Sequence, residues 1–213
     1  MTRPLERHRS GLLSMALAGV GLWLVWPWIR PVLFPAAGRP WLLVLDGYHR
    51  LDHALTLQRQ EPFRGWPILL ITCPATGQPT AFQRHQASLP LSVLYERPRF
   101  GGDTVGQAVA LEDWMKMLPP QSRPSKLLVL SDRHHFPRAT WVAQLAVGGL
   151  GTRVKSSLAD KEVPRRWIDP WSWQQIWPLQ RDLLRMQFWR VSGSTGTDVN
   201  LLKSLLKRRG CWD

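Results

Sequence analysis

The chain has 213 residues, 44% of them hydrophobic, and a pI near 11.1. That is enough apolar side chain to bury one core of about 150 residues with appendages, and it excludes a wholly disordered chain. A net charge of +13 points to polyanions such as nucleic acid, anionic lipid or phosphorylated substrates, while two cysteines, Cys73 and Cys211, give neither a disulfide framework nor a cysteine-based zinc site.

From Gly11 to Ile29 the chain carries 19 uncharged residues rich in Leu, Val, Ala, Gly and Trp, just long enough to cross a bilayer. Arg3, Arg7 and Arg9 precede this stretch, and Trp23, Trp26 and Trp28 gather at its far end as an interfacial belt does. Pro27 and Pro31 are expected to bend or end the helix there. The preferred reading is a single-pass cell-membrane anchor; a cleaved signal peptide and a buried core helix are the alternatives. Arginine placement favours an inside N-terminus and a periplasmic domain, an asymmetry that Arg30 and Arg39 dilute.

Buried-strand patterns follow at 41–45, 67–72, 91–95, 126–130 and 152–158, separated by helical patterns at 50–60, 80–88, 103–118 and 136–147. Alternating strands and helices imply an α/β fold: a three-layer, Rossmann-like, mostly parallel sheet with helices on both faces, preceded by the transmembrane helix. Residues 1–38 form the anchor and linker, 39–192 the α/β domain, and 193–213 a basic tail. Gly148-Gly149-Leu150-Gly151 follows a helix and precedes a strand, so it reads as a C-cap and turn rather than a phosphate loop.

The segment 163–190 mixes Trp167, Trp171, Trp173, Trp177 and Trp189 with Arg165, Arg166, Arg181, Arg185 and Arg190. That composition suits a helix at a lipid headgroup interface or a single-strand nucleic-acid surface. Ile176, Leu179, Leu183, Leu184 and Phe188 recur at helical spacing, however, demand a core partner, and favour a terminal helix packing its aromatic side on the sheet. The tail from Leu201 to Arg209 is amphipathic and basic, suited to an anionic membrane or to a solvated helix end.

The most informative run is Leu130 to Ala139, which closes a strand and opens a helix, the place where open α/β sheets bind ligands. His135 and Arg138 share a face of the first turn, where the helix N-terminus favours an anion. Strand ends would also bring Asp46, Arg50, Thr72, Asp103, Thr104 and Ser131 to the same crevice. Arg50 and Arg138 would grip phosphate oxygens bidentately, and His135 would donate or accept a proton. Asp103 is either a plain N-cap or a group that orients His135 or an arginine, or acts as base. Arg50 is either a ligand group or a surface partner of Asp52 or Glu61. His49 and His53 have metal-ligand spacing but lack the acidic residue of a zinc motif, so no metal is expected.

Ser131, His135, Arg138 and Ala139 stand in the register of a Ser-x-x-x-His-x-x-Arg-Ala element that resembles the signature of the bacterial ElyC/SanA/YdcF family. Arg50 to Ala54 resembles that family's Arg-x-x-x-Ala helix start, and Asp103-Thr104 its Asp-Thr element; the likeness spans residues 40 to 192. Two departures stand out: Cys73-Pro74 replaces a Gly-rich turn, and Gln107 replaces an Asn. The resemblance implies a role in peptidoglycan or polyprenyl-phosphate carrier metabolism and favours a ligand role for Arg50. It also implies, for one branch, S-adenosylmethionine binding, which the Cys73-Pro74 departure disfavours. The expected partners are an anionic, phosphorylated small molecule or lipid and the membrane. Nucleic acid is the weakest alternative, because basic residues are scattered rather than gathered in a module. A non-catalytic sensor or scaffold is the competing functional class.

Overall fold

The computed structural model describes residues 4–45, 48–72, 93–96, 103–132, 135–158 and 173–194. Five strands form one parallel sheet: β1 (Trp41–Leu45), β2 (Ile68–Ile71), β3 (Val93–Glu96), β4 (Lys126–Ser131) and β5 (Arg153–Leu158), in the order β3-β2-β1-β4-β5. The helices are α1 (Pro4–Leu33), α2 (Tyr48–Gln58), α3 (Thr104–Met117), α4 (Phe136–Val147) and α5 (Trp173–Ser192). The expected helix at 80–88 and the amphipathic tail lie outside the described residues.

The central strands are apolar without alternation because both of their faces are covered. Leu43, Leu45, Leu69, Ile71, Leu127 and Val129 point to one face, where they meet residues of α3 and α4. Leu42, Val44, Ile68, Leu70, Leu128 and Leu130 point to the other and meet Leu51 and Ala54 of α2. The chain winds outward from β1 to β3, then crosses back to place β4 on the other side of β1. That reversal makes the carboxyl ends of β1 and β4 the switch point, where neighbouring connections diverge and leave a crevice.

Two sequence expectations need correction. The first concerns Pro27 and Pro31, which do not end α1: the helix runs through both to Leu33. Each proline leaves a carbonyl one turn earlier without its helical donor, and the domain supplies the replacement. Gln144 Nε2 donates to Pro27 O at 2.7 Å, and Arg190 Nη2 donates to Trp23 O at 3.1 Å with its guanidinium 4.1 Å from the Trp23 ring centroid. Burial pulls the Arg190 guanidinium below its ordinary pKa, and Glu112 opposes that shift. Gly148 permits the close approach, since a Cβ there would sit 1.9 Å from the Pro27 carbonyl oxygen. Arg30 adds a bond to Gly149 O, and Trp28 packs edge-on to Trp141. The Gly148–Leu150 segment is the expected turn, closed by Gly151 in the left-handed region at φ +92°.

The second correction concerns α5, which lies on α4 and α3 rather than on the sheet. Leu179 and Met186 are buried, and Leu183 and Trp189 pack against the core, but Leu184 and Phe188 do not: they are 71% and 53% exposed. The apolar residues of this helix fall on two opposite stripes, and among the described residues only one of them packs against the protein. Residues 14–33 form one helix long and apolar enough to cross a membrane.

Candidate anion-binding crevice

A cavity of about 210 Å³ opens at the switch point, over the carboxyl ends of β1 and β4 and the N-termini of α3 and α4. Its lining includes Arg50, Asp103, Thr104, Ser131, His135 and Arg138, six of the eight residues singled out from sequence. Thr72, buried at the end of β2, is not among the described residues that line it. Asp46 lies outside the described residues.

Each charged group arrives with a partner. Arg50 reaches across from α2 to Leu45 O and to the Asp132 carboxylate, not to Asp52 or Glu61. Asp103 caps α3 through Oδ1, which accepts from Gly106 N at 2.9 Å, and its Oδ2 accepts from Arg185 Nη1 at 2.7 Å. It is therefore both an N-cap and the carboxylate that orients an arginine. Arg138 Nη2 stands 2.8 Å from His135 Nδ1. Because a guanidinium only donates, Nδ1 accepts and the proton of the neutral ring resides on Nε2. While this contact lasts, His135 is a donor to a ligand rather than a base.

The sequence reading missed the contribution of α5. Asp182 is 1% exposed and sits among three guanidiniums: Arg181 at 2.8 Å, Arg138 at 3.5 Å and Arg185 at 3.8 Å. A buried carboxylate persists only when such partners replace its water. A signal was present, since Asp182 falls three after Leu179 and four before Met186, a polar residue on the buried stripe of the helix. Gln107, at the position of the family-pattern Asn, also lines the cavity.

The electrostatic balance is close. Among the described residues, four arginines (50, 138, 181 and 185) face three aspartates (103, 132 and 182), a surplus of one positive charge. The N-termini of α3 and α4 add partial positive charge, although Asp103 offsets the first and Pro137 removes an N–H from the second. One hydroxyl is left over: Ser131 Oγ, at the end of β4, is buried, lines the cavity and has no hydrogen-bond partner among the described residues. Burying a hydroxyl unpaired costs about 1–3 kcal/mol, so its partner is expected to come from the cavity. Among the described residues no group of three His, Cys, Asp or Glu is placed to hold a metal ion.

Comparison with protein-family models, curated proteins and solved structures gives no match.

Proposed function

We propose that this is a membrane-anchored protein whose crevice binds a phosphate-bearing anion, and that the ligand belongs to envelope upkeep as a lipid-linked phosphate. The unpartnered Ser131 hydroxyl on the cavity lining carries this reading: it is a buried donor beside two helix N-termini and a net positive charge. The strand order and the helices on both faces support a three-layer Rossmann-like domain with its ligand at the switch point. The resemblance to the ElyC/SanA/YdcF family belongs to the same proposal, as does a periplasmic placement. Roughly 300–1,000 Å³ is usual for sites that enclose drug-sized ligands. The cavity here is about 210 Å³, which suits a phosphate or pyrophosphate head better than S-adenosylmethionine.

Binding without chemistry is the stronger form of the proposal. Asp103, Asp132 and Asp182 are all ion-paired with arginines, so none is poised as a base, and Arg50 and Arg138 would have to exchange protein partners to clamp a phosphate bidentately. Catalysis would instead rest on His135 Nε2 as a proton donor.

Native mass spectrometry of the detergent-purified full chain, looking for a co-purified polyprenyl phosphate or phospholipid, tests the ligand class. A retained phosphorylated lipid, released on adding inorganic pyrophosphate, is expected; a bare protein that fails to bind pyrophosphate overturns the reading. His135→Gln separates the two forms: turnover of a bound phosphate ester that disappears while binding persists establishes chemistry, and absence of turnover in the parent protein establishes binding alone.

A further inference from the structure

The apolar stripe of α5 that meets no partner among the described residues is the feature that the crevice does not use. At 3.6 residues per turn Trp177, Leu184, Phe188 and Val191 fall in one line, opposite Leu179, Asp182 and Met186. They are 71%, 71%, 53% and 76% exposed. Four large apolar side chains aligned in water on one helix mark a surface that is covered in use.

The course of α1 identifies the cover. Read backwards from the domain, Gly38 bridges Pro124 at the foot of β4, Ala36 bonds to Gly151, Arg30 to Gly149, Pro27 packs on Gly148 and Gln144, and Trp23 meets Arg190 of α5. The helix therefore passes the sheet edge, then α4, then α5, and the residues before Trp23 continue beyond α5 with every described side chain exposed. Because α5 packs on α4 and α3 through the opposite face, its bare stripe points away from the domain, and α1, which meets α5 at Arg190, continues past it.

Length makes the same point. The apolar part of α1 that projects past the domain, Gly11 to Trp23, is 13 residues, or about 20 Å of helix. A hydrocarbon core is about 30 Å thick. If the anchor spans the bilayer, as the proposed function assumes, the shortfall is made up when the domain settles toward the interface at the level of Trp23, where α5 meets α1. Arg181, half-exposed and about 40° around the helix from Trp177, flanks that stripe with the positive charge that favours anionic headgroups.

We propose that α5 lies in the membrane interface, with Trp177, Leu184, Phe188 and Val191 buried at the acyl boundary of an anionic bilayer. Arg181 lies within a turn of Trp177 and Leu184 and also lines the crevice, so the mouth of the crevice sits at headgroup depth, within reach of a phosphate whose tail remains in the bilayer.

The test uses the full-length protein with Cys73→Ser and Cys211→Ser, reconstituted in vesicles of phosphatidylglycerol and phosphatidylethanolamine. Nitroxide labels are placed singly at Leu17→Cys, Leu184→Cys, Phe188→Cys and Arg153→Cys, the last on the exposed edge of β5. Labels at 17, 184 and 188 are expected to collide more with lipid-dissolved oxygen than with a water-soluble nickel chelate, and the label at 153 to do the reverse. Labels at 184 and 188 that behave like the one at 153, while 17 remains in lipid, overturn the inference and leave the anchor standing. A label at 17 that behaves like 153 removes the anchor and the inference with it. Spin–spin broadening at 184 that vanishes on dilution with unlabelled protein assigns the stripe to a second copy and also overturns it.

Discussion

The two ends of the sheet solve opposite problems. At the amino-terminal end, where α1 docks, surplus carbonyls left by two prolines are each met by a domain donor, and a glycine lets backbone approach backbone. At the carboxyl-terminal end, charges are stacked against charges around a cavity, and one buried hydroxyl remains unmet. A rim whose polar groups are closed off is built to hold its position. A rim that keeps a buried donor open toward a cavity is built to receive something. The first end fixes the domain to α1, and the second is where, under the proposed function, a ligand would complete the structure.

Substitutions at each end test that division. Asp182→Ala is expected to have the largest effect, about 3–5 kcal/mol in denaturant unfolding, because it leaves three guanidiniums around a buried void; a loss under 1 kcal/mol would mean that the arginines are solvated and the rim is not closed by charge. Gly148→Ala is expected to cost about 1–3 kcal/mol through overpacking and to speed amide exchange in residues 26–33 without weakening pyrophosphate binding. If binding falls with docking, the two ends are coupled rather than separate. Ser131→Ala should leave the unfolding free energy of the ligand-free protein undiminished while weakening pyrophosphate about tenfold, the equivalent of one lost hydrogen bond near 1.4 kcal/mol. Calorimetric titration of both forms decides this, and equal affinities would remove the hydroxyl from the site. Arg190→Met is expected to be mildest, about 0.5–1 kcal/mol from the contact with Trp23, read as faster exchange confined to the α1 turn around that residue.

Much of the frame was legible in the residues because its causes are local. Strands buried on both faces announce themselves as short apolar runs, and Asp103 before Thr104, or Pro119-Pro120 after Leu118, brackets a helix through capping and steric exclusion. The convergence of Arg50, Asp103, Ser131, His135 and Arg138 on one cavity followed from their placement at strand ends and helix starts. What was not legible depends on contacts between distant segments. Proline alone indicated a bend or an end in α1; that the helix continues depends on Gln144 and Arg190, more than a hundred residues away. Helical spacing placed Leu184 and Phe188 among the core residues of α5, yet periodicity gives only faces, and this helix has two apolar ones. Arg181, Asp182 and Arg185 escaped notice as site residues because α5 approaches the crevice across α3 and α4, a route that no short motif records.

The most direct test of the crevice is diffraction from crystals of the full-length protein grown with tungstate, an anomalous scatterer that stands in for phosphate. The expected result is one tungsten peak inside the cavity, with an oxygen within hydrogen-bond distance of Ser131 Oγ and the ion between the N-termini of α3 and α4. Tungstate bound only to the surface arginines, with the cavity filled by water, would contradict the account.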